Sequence, residues 1–178
     1  MTSMHKPLVL MLGDSLIDYG EWQRRLPAYR VLSSGIPGGR TEELFRRVSL
    51  HLPGDLPEAI VVMSGTNNIV FGDHSFIDML RRISAVLQDS NPQAAIIITS
   101  MLPYEIPGIV DSIHAANQQI SLICAESGCH YFDLCSEFER SFEPLFDFDG
   151  VHLSNRGYQL WSASLAGYLG KLLAKRGY

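Results

Sequence analysis

The chain has 178 residues, enough for one domain with a substantial core, and its 46% apolar and 19% charged residues are ordinary for a globular protein. Its formal net charge of -5 disfavours nucleic acid and anionic membrane surfaces as partners, because both reward clustered Lys and Arg. No apolar stretch approaches the roughly 18 residues of a membrane-spanning helix, so integral membrane association is not expected.

The amino-terminal segment and the cysteines bear on the cellular compartment. The first apolar run is short and ends at Gly13, without the small-residue cleavage site of a signal peptide. Cys124, Cys129 and Cys135 are odd in number and lack zinc-binding spacing, so we expect reduced, structural thiols. Both features favour a cytoplasmic location, although a secreted chain trimmed of its signal would look the same.

Short apolar runs alternate with segments of helical periodicity along the chain. The runs predicted as strands are residues 8–12, 29–32, 59–63, 95–99 and, more weakly, 130–134. The segments predicted as helices are residues 41–52, with Thr41 as the N-cap, 75–87, 109–124 and 155–174. This β-α-β-α order predicts one domain, residues 1–178, built on a parallel sheet with helices on both faces.

Glycine and small polar residues gather directly after the predicted strands. The sequence GDS follows the first run, SGIPGG the second, SGTNN the third and SMLPYEIPG the fourth, while DFDGVHLSNRG precedes the last helix. Ligands bind outside the carboxyl ends of the strands in open parallel sheets, so we expect the functional site at these junctions.

Ser15 could cap a helix or act as a nucleophile. Serine is a preferred N-cap residue, so capping is the ordinary interpretation at this junction. A nucleophile needs a base and a carboxylate that orients it, and Asp149 and His152 can supply both from one loop. The alternatives for this pair are a structural histidine or a metal site, for which Asp147 is the only obvious further local ligand.

Two other junctions offer hydrogen-bond donors for an oxyanion. Gly38 has no side chain to block a substrate, so its N–H can approach closely, and Asn67 can donate an amide hydrogen. A turn-forming role is the alternative for Asn67. The G-x-S-x-G nucleophile elbow of α/β-hydrolases is absent, since Leu16 and Ile17 follow Ser15.

Four blocks in order resemble those of the SGNH hydrolase superfamily, also called the GDSL esterase/lipase family. They are GDSL at 13–16, GIPGGRTEEL at 35–44, GTN at 65–67 and DGVH at 149–152. The resemblance implies an α/β fold, a three-layer α/β/α sandwich of the flavodoxin-like type with a central five-stranded parallel sheet. It also implies a serine esterase that needs no cofactor or metal.

In this resemblance, Ser15, Asp149 and His152 correspond to the catalytic triad. The backbone N–H groups of Ser15 and Gly38 and the side chain of Asn67 correspond to the oxyanion hole. Asp14, beside the nucleophile, corresponds to a residue that is usually structural in the family.

The sequences GTNN and DGVHLSNRGY are similar to the platelet-activating-factor acetylhydrolase-like branch. That similarity favours short acyl or acetyl esters of small molecules, sugars or lipids as substrates. Many family members carry an aspartate where this chain has Asn68, and an asparagine where it has Ser33.

Four side chains on loops near the predicted site are predicted to line the acyl pocket, with core packing as the alternative: Ile17, Phe71, Tyr104 and Ile106. The aromatic residues Trp22, Trp161 and Tyr158 are expected to pack in the core. The expected partner is a small-molecule ester, and the chain is expected to be a monomer or homodimer. The competing function is a non-catalytic small-molecule or anion-binding module on the same fold.

Overall fold

A five-stranded parallel sheet forms the centre of the computed structural model, which describes residues 6–50, 54 and 56–177. Its strands are β1 (Leu8–Gly13), β2 (Arg30–Gly35), β3 (Ala59–Met63), β4 (Ala95–Thr99) and β5 (His130–Phe132), in the spatial order β2-β1-β3-β4-β5. All four pairings are parallel, so the predicted fold class is confirmed.

The three inner strands read as continuous aliphatic runs because both of their faces are covered. Every residue of β1, β3 and β4 is buried, and these strands carry the sequences LVLMLG, AIVVM and AIIIT. The edge strands β2 and β5 are only partly buried and carry more polar residues. This difference is what helices on both faces of a parallel sheet produce.

Eight helices surround the sheet in the described part of the chain: α1 (Ser15–Asp18), α2 (Trp22–Arg25), α3 (Thr41–Leu50), α4 (Thr66–Val70), α5 (Phe76–Ser90), α6 (Val110–Ser127), α7 (Leu134–Glu139) and α8 (Asn155–Ala174). Helices α3, α5 and α6 pack side by side, while α8 packs against α2 and α7. The four long helices were predicted, with bounds shifted by up to three residues. The four short helices were not, because they have too few turns to show a helical period.

Helix α3 begins one residue earlier than the predicted cap implies. The Arg40 carbonyl accepts from the Glu43 N–H, and the Glu43 carboxylate accepts from the Arg40 N–H. Thr41 instead lies in the first turn, where its N–H and hydroxyl both donate to Asn68 Oδ1. The prediction that Thr41 is the N-cap is therefore wrong by one residue. The predicted end of this helix, residues 51–52, lies outside the described residues.

The aromatic residues expected in the core are there. Trp22, Tyr158 and Trp161 are buried, and the rings of Trp22 and Trp161 meet edge to face with centroids 4.7 Å apart. All three cysteines are free thiols, and burial raises the pKa of Cys124 and Cys135 to about 12. In the part of the chain that the structure describes, no helix is long and apolar enough to cross a membrane.

Candidate active site

The residues singled out in the sequence gather at the carboxyl ends of neighbouring strands. Ser15 opens α1 just after β1, Gly38 lies in the loop after β2, and Asn67 lies in α4 just after β3. Because β1 lies between β2 and β3 in the sheet, these three segments are side by side. His152 and Asp149 reach the same edge from the loop between α7 and α8.

Ser15, His152 and Asp149 form a continuous hydrogen-bonded path. Ser15 Oγ lies 3.1 Å from His152 Nε2, and His152 Nδ1 lies 2.6 Å from Asp149 Oδ2. Ser15 is buried, whereas the side chains of His152 and Asp149 are each 37% exposed. The imidazole therefore stands between a buried hydroxyl and an accessible carboxylate.

The surroundings of Asp149 keep it ionised. Its Oδ2 bonds the His152 ring, while its Oδ1 accepts the N–H groups of Val151 and His152, each at 2.9 Å. These hydrogen bonds, with the His152 side chain first, lower the pKa of Asp149 to about 2. An ionised carboxylate here holds the proton of a neutral imidazole on Nδ1, which leaves the Nε2 lone pair facing Ser15.

Backbone hydrogen bonds fold the loop that carries the histidine. Phe146 and Leu153 form an antiparallel bridge, and the Asp147 N–H donates to the His152 carbonyl at 2.8 Å. The ring of Tyr19 packs against the His152 ring with centroids 5.6 Å apart. These backbone contacts fix the loop that carries His152, and the Tyr19 ring covers one side of the imidazole.

Asp14, and not Ser15, caps helix α1. Asp14 is the N-cap residue, and its Oδ1 accepts the Leu16 N–H at 3.0 Å, so the Ser15 hydroxyl is free to face His152. Asp14 is completely buried, and its Oδ2 has no hydrogen-bond partner within the described residues. Burial raises the pKa of Asp14 to about 6, against the opposing effect of the Leu16 N–H.

The two predicted oxyanion donors, Gly38 in the loop after β2 and Asn67 in α4, lie on segments that contact each other. Gly38 is exposed and has a φ of +72°, a left-handed conformation that explains why glycine stands there. A side chain at Gly38 would meet no atom within 4 Å, so crowding is not the reason. Asn67 Nδ2 donates to the Gly39 carbonyl at 2.9 Å, and the same amide nitrogen carries a second hydrogen.

The predicted acyl-pocket residues divide into two pairs. Ile17 and Tyr104 lie in the core, 0% and 1% exposed, so the prediction that they contact substrate is wrong for both. Ile17 belongs to α1, and the Tyr104 hydroxyl lies 2.8 Å from the Thr66 hydroxyl at the start of α4. Phe71 is exposed and Ile106 is partly buried, so both have surface that a substrate could contact.

Arg47 supports the site and was not singled out from the sequence. Its guanidinium donates to the carbonyl oxygens of Gly13 and Ser34, each at 3.0 Å, and to the Ser34 hydroxyl at 2.9 Å. It therefore ties together the carboxyl ends of β1 and β2. The sequence did offer one indication of this role: Arg47 is a charged residue three positions after Leu44, which places it near the inward face of α3.

Within the described residues, no group of three or more His, Cys, Asp or Glu side chains is arranged to hold a metal ion. The backbone N–H of Asp147, the further local ligand that the sequence offers for a metal site, donates to the His152 carbonyl.

Curated relatives share sequence over most of the chain. The alpha1 subunit of human platelet-activating factor acetylhydrolase IB is 25% identical over 184 residues, which cover 96% of this chain and 78% of the relative. The alpha2 subunit from Bos taurus is 31% identical over 170 residues, which cover 86% of this chain and 72% of the relative.

Solved structures share the fold. A Streptococcus pneumoniae protein described as a candidate platelet-activating factor superposes with a TM-score of 0.81 at 25% identity, covering 94% of this chain and 86% of that one. An acetyl xylan esterase superposes with a TM-score of 0.76 at 17% identity, covering 91% and 99%. The sequence profile of the GDSL-like lipase/acylhydrolase family matches residues 11–160. That match spans the turn with Ser15 and the loop with His152 alike, so the chain belongs to the GDSL-like lipase/acylhydrolase family of enzymes.

Proposed function

We propose that the protein is a serine esterase that hydrolyses carboxylic esters through Ser15, His152 and Asp149. The observation that carries the proposal is the path from Asp149 Oδ2 through both ring nitrogens of His152 to Ser15 Oγ, with contacts of 2.6 and 3.1 Å. A serine hydroxyl is a weak nucleophile by itself, and this arrangement places a proton acceptor within reach of it.

The reaction proceeds through an acyl-enzyme. Ser15 Oγ attacks the ester carbonyl carbon while His152 Nε2 takes the hydroxyl proton, and the tetrahedral intermediate collapses as the imidazolium returns that proton to the leaving alcohol. Water then attacks the acyl-enzyme by the same route, and the acid leaves. Asp149 stays ionised throughout, because its low pKa keeps it from accepting the proton.

The negative charge on the attacked oxygen is stabilised by donors from three strand ends. We assign this role to the N–H of Ser15, the N–H of Gly38 and the second amide hydrogen of Asn67. The contact of Asn67 with the Gly39 carbonyl supports the assignment, since it fixes the amide beside the loop that carries Gly38. Donors that are already in place cost no reorganisation when the charge develops.

The substrates are acetyl esters or other short acyl esters of small molecules, sugars or lipids. Two features support this choice. The relatives include platelet-activating factor acetylhydrolase subunits, and one structural neighbour is an acetyl xylan esterase. Ile17 and Tyr104 are packed in the core, so neither offers surface to a long acyl chain.

A panel of p-nitrophenyl esters from acetate to palmitate, run beside acetylated sugars, tests both the activity and the substrate class. Wild-type enzyme should turn over the shortest esters fastest, and Ser15→Ala should abolish turnover while keeping the fold. Ser121→Ala, which removes an exposed hydroxyl from α6, is the matched control and should keep full activity. Turnover by Ser15→Ala equal to that of the wild type would refute the proposal.

Labelling with a fluorophosphonate probe separates an enzyme from a binding module. A reactive Ser15 becomes covalently modified, and the modified peptide identifies the residue by mass spectrometry. Wild-type protein that is folded but neither labelled nor active would favour a non-catalytic binding module. Loss of turnover on adding a chelator would instead indicate hydrolysis that depends on a metal.

A further inference from the structure

The distance between nucleophile and base depends on how the histidine loop is held against helix α1. Ser15 lies in a buried turn, whereas His152 belongs to the irregular segment between α7 and α8. The two residues are 137 positions apart in the sequence, so no local geometry keeps them together. Contacts between α1 and the start of α8, which begins at Asn155, therefore help to bring the imidazole to the hydroxyl.

Tyr158 makes a direct contact of this kind. It lies in the first turns of α8 and its hydroxyl donates to the carbonyl oxygen of Leu16, the residue after the nucleophile, at 3.1 Å. In the short helix α1, the Tyr19 N–H bonds the carbonyls of Ser15 and Ile17, and the Gly20 N–H bonds that of Ile17. The carbonyl of Leu16, between those of Ser15 and Ile17, accepts its hydrogen bond from the buried Tyr158 hydroxyl. Losing a buried hydrogen bond of this kind is costly.

The ring of Tyr158 is fixed by its neighbours. The Arg25 guanidinium lies over the ring at 5.3 Å, and the same side chain donates to the Gly20 carbonyl and to Asn155 Oδ1. Trp161 stacks on Tyr158 with an angle of 7° between the ring planes. Burial raises the pKa of the Tyr158 phenol above its ordinary value, so the hydroxyl keeps its proton and can donate at neutral pH.

We propose that Tyr158 is a positioning residue, which through its bond to the Leu16 carbonyl keeps His152 Nε2 within hydrogen-bond reach of Ser15 Oγ. The inference rests on the proposed function, since it concerns the base and nucleophile of that reaction. Helix α8 starts three residues after the histidine, so a shift of its first turn relative to α1 is passed to the imidazole. A displacement of about 1 Å at such a site can cost on the order of a hundredfold in rate.

Tyr158→Phe tests the inference because it deletes the hydroxyl and keeps the ring. We expect kcat for p-nitrophenyl acetate to fall about tenfold or more, with KM unchanged, and the rate of fluorophosphonate labelling to fall in parallel. Tyr168→Phe is the matched control: it also removes a phenol hydroxyl from α8, but that hydroxyl lies 3.5 Å from the carbonyl oxygen of Tyr131 in β5. This control should leave kcat and the labelling rate unchanged.

Active-site titration distinguishes positioning from a merely structural role. If every Tyr158→Phe molecule is eventually labelled but each reacts slowly, the hydroxyl positions the base. If fewer molecules react and each turns over at the wild-type rate, or if kcat is unchanged, the proposal is overturned. Absence of Ser15 labelling in the wild-type enzyme would overturn the proposed function as well, whereas normal wild-type labelling with an unimpaired Tyr158→Phe variant overturns this inference alone.

Discussion

Gly150 and Glu105 join the histidine loop to the segment that follows β4: the Glu105 N–H donates to the Gly150 carbonyl oxygen at 2.8 Å. Gly150 has a φ of +69°, and a Cβ at that position would lie 2.8 Å from the Glu105 carbonyl oxygen. Two features therefore require glycine at position 150: its left-handed backbone conformation and the close approach of the Glu105 carbonyl oxygen. Since Gly150 lies between Asp149 and His152, this contact helps to hold both side chains.

Gly150→Ala should impair both stability and catalysis. The left-handed backbone and the clash with Glu105 together should lower the free energy of unfolding by about 1–3 kcal/mol, as measured by urea denaturation. The displaced loop should also lower kcat for p-nitrophenyl acetate by about tenfold or more, because the imidazole moves away from Ser15.

Gly108→Ala provides the matched control for this change. Gly108 has a similar φ of +78°, but no heavy atom lies within 4 Å of a Cβ placed there. Gly108→Ala should therefore lower the free energy of unfolding, because of its left-handed backbone, but leave kcat unchanged. Equal losses of kcat in the two variants would show that the contact between Gly150 and Glu105 does not support the site.

Asp14→Asn should stabilise the protein at neutral pH. The carboxyl group titrates at 3.8 when unfolded and at about 6 when buried, so between these values the folded state holds the proton that the unfolded state has released. The contribution of Asp14 to stability is then greatest below 3.8 and falls as the pH rises to about 6, above which the folded protein carries a buried charge at this position. Asn removes that cost, on the order of 3 kcal/mol, and its Oδ1 can still accept the Leu16 N–H.

Urea denaturation across this pH range checks the prediction. The stability gain of Asp14→Asn over the wild type should grow as the pH rises from 3.8 to about 6 and then level off. Asp18→Asn, which changes an exposed carboxylate of the same helix, should show no such growth. A pH-independent difference would contradict the raised pKa of Asp14, and a loss of kcat without loss of stability would give Asp14 a role in catalysis.

Asn67→Asp removes the proposed oxyanion donor at nearly constant size. An ionised carboxylate only accepts hydrogen bonds, so it would face both the substrate oxyanion and the Gly39 carbonyl with like charge. We expect kcat to fall by about 10²–10³ with a smaller change in KM, and Asn67→Ala to lose a similar factor. Steady-state kinetics with p-nitrophenyl acetate give both values. Wild-type kcat in Asn67→Asp would exclude Asn67 from the oxyanion hole.

The sheet could be predicted from the sequence because burial on both faces leaves a simple signal. The runs at 59–63 and 95–99 are wholly aliphatic apart from Met63 and Thr99, and the structure gives the same bounds for β3 and β4. Helix α4 shows the opposite case. Its five residues, TNNIV, have no periodicity, and its N-cap is Gly65, a glycine with a φ of +124° two residues after the end of β3.

The acyl-pocket predictions show why nearness to a motif does not fix where a side chain points. Ile17 lies two residues after the nucleophile and Tyr104 lies in a loop at the correct edge of the sheet, yet both point into the core. Ile17 lies in the short helix α1, where residues 15–17 are all buried, and a four-residue helix has too few turns for its inward face to be identified from the sequence. The pairing of His152 with Ser15 follows from the resemblance of the sequence blocks, but the 3.1 Å distance between Ser15 Oγ and His152 Nε2 is set by tertiary contacts, which no local pattern shows.

Asn68 stands where many family members carry an aspartate, and its contacts explain the amide. Its Oδ1 accepts the N–H and the hydroxyl of Thr41, while its Nδ2 donates to the carboxylates of Glu42 and Asp73. Hydrogen bonds from Ser75 and then from Asn68 hold the pKa of Asp73 well below its usual range. The buried amide therefore connects the start of α3 to the end of α4, on either side of the loop that carries Gly38.

Asn68→Asp should destabilise the protein, because a third carboxylate would replace the donor between Glu42 and Asp73. We expect the free energy of unfolding to fall by about 1–3 kcal/mol at neutral pH, and the deficit to shrink at acidic pH as a proton is shared among the three carboxyl groups. Glu42→Gln in the same chain supplies a new amide donor and should recover part of the loss, whereas Glu42→Gln alone should have little effect. Urea denaturation of the wild type, the two single variants and the double variant completes a double-mutant cycle. An interaction free energy of zero would mean that repulsion between residues 42 and 68 is not the reason for an amide at position 68.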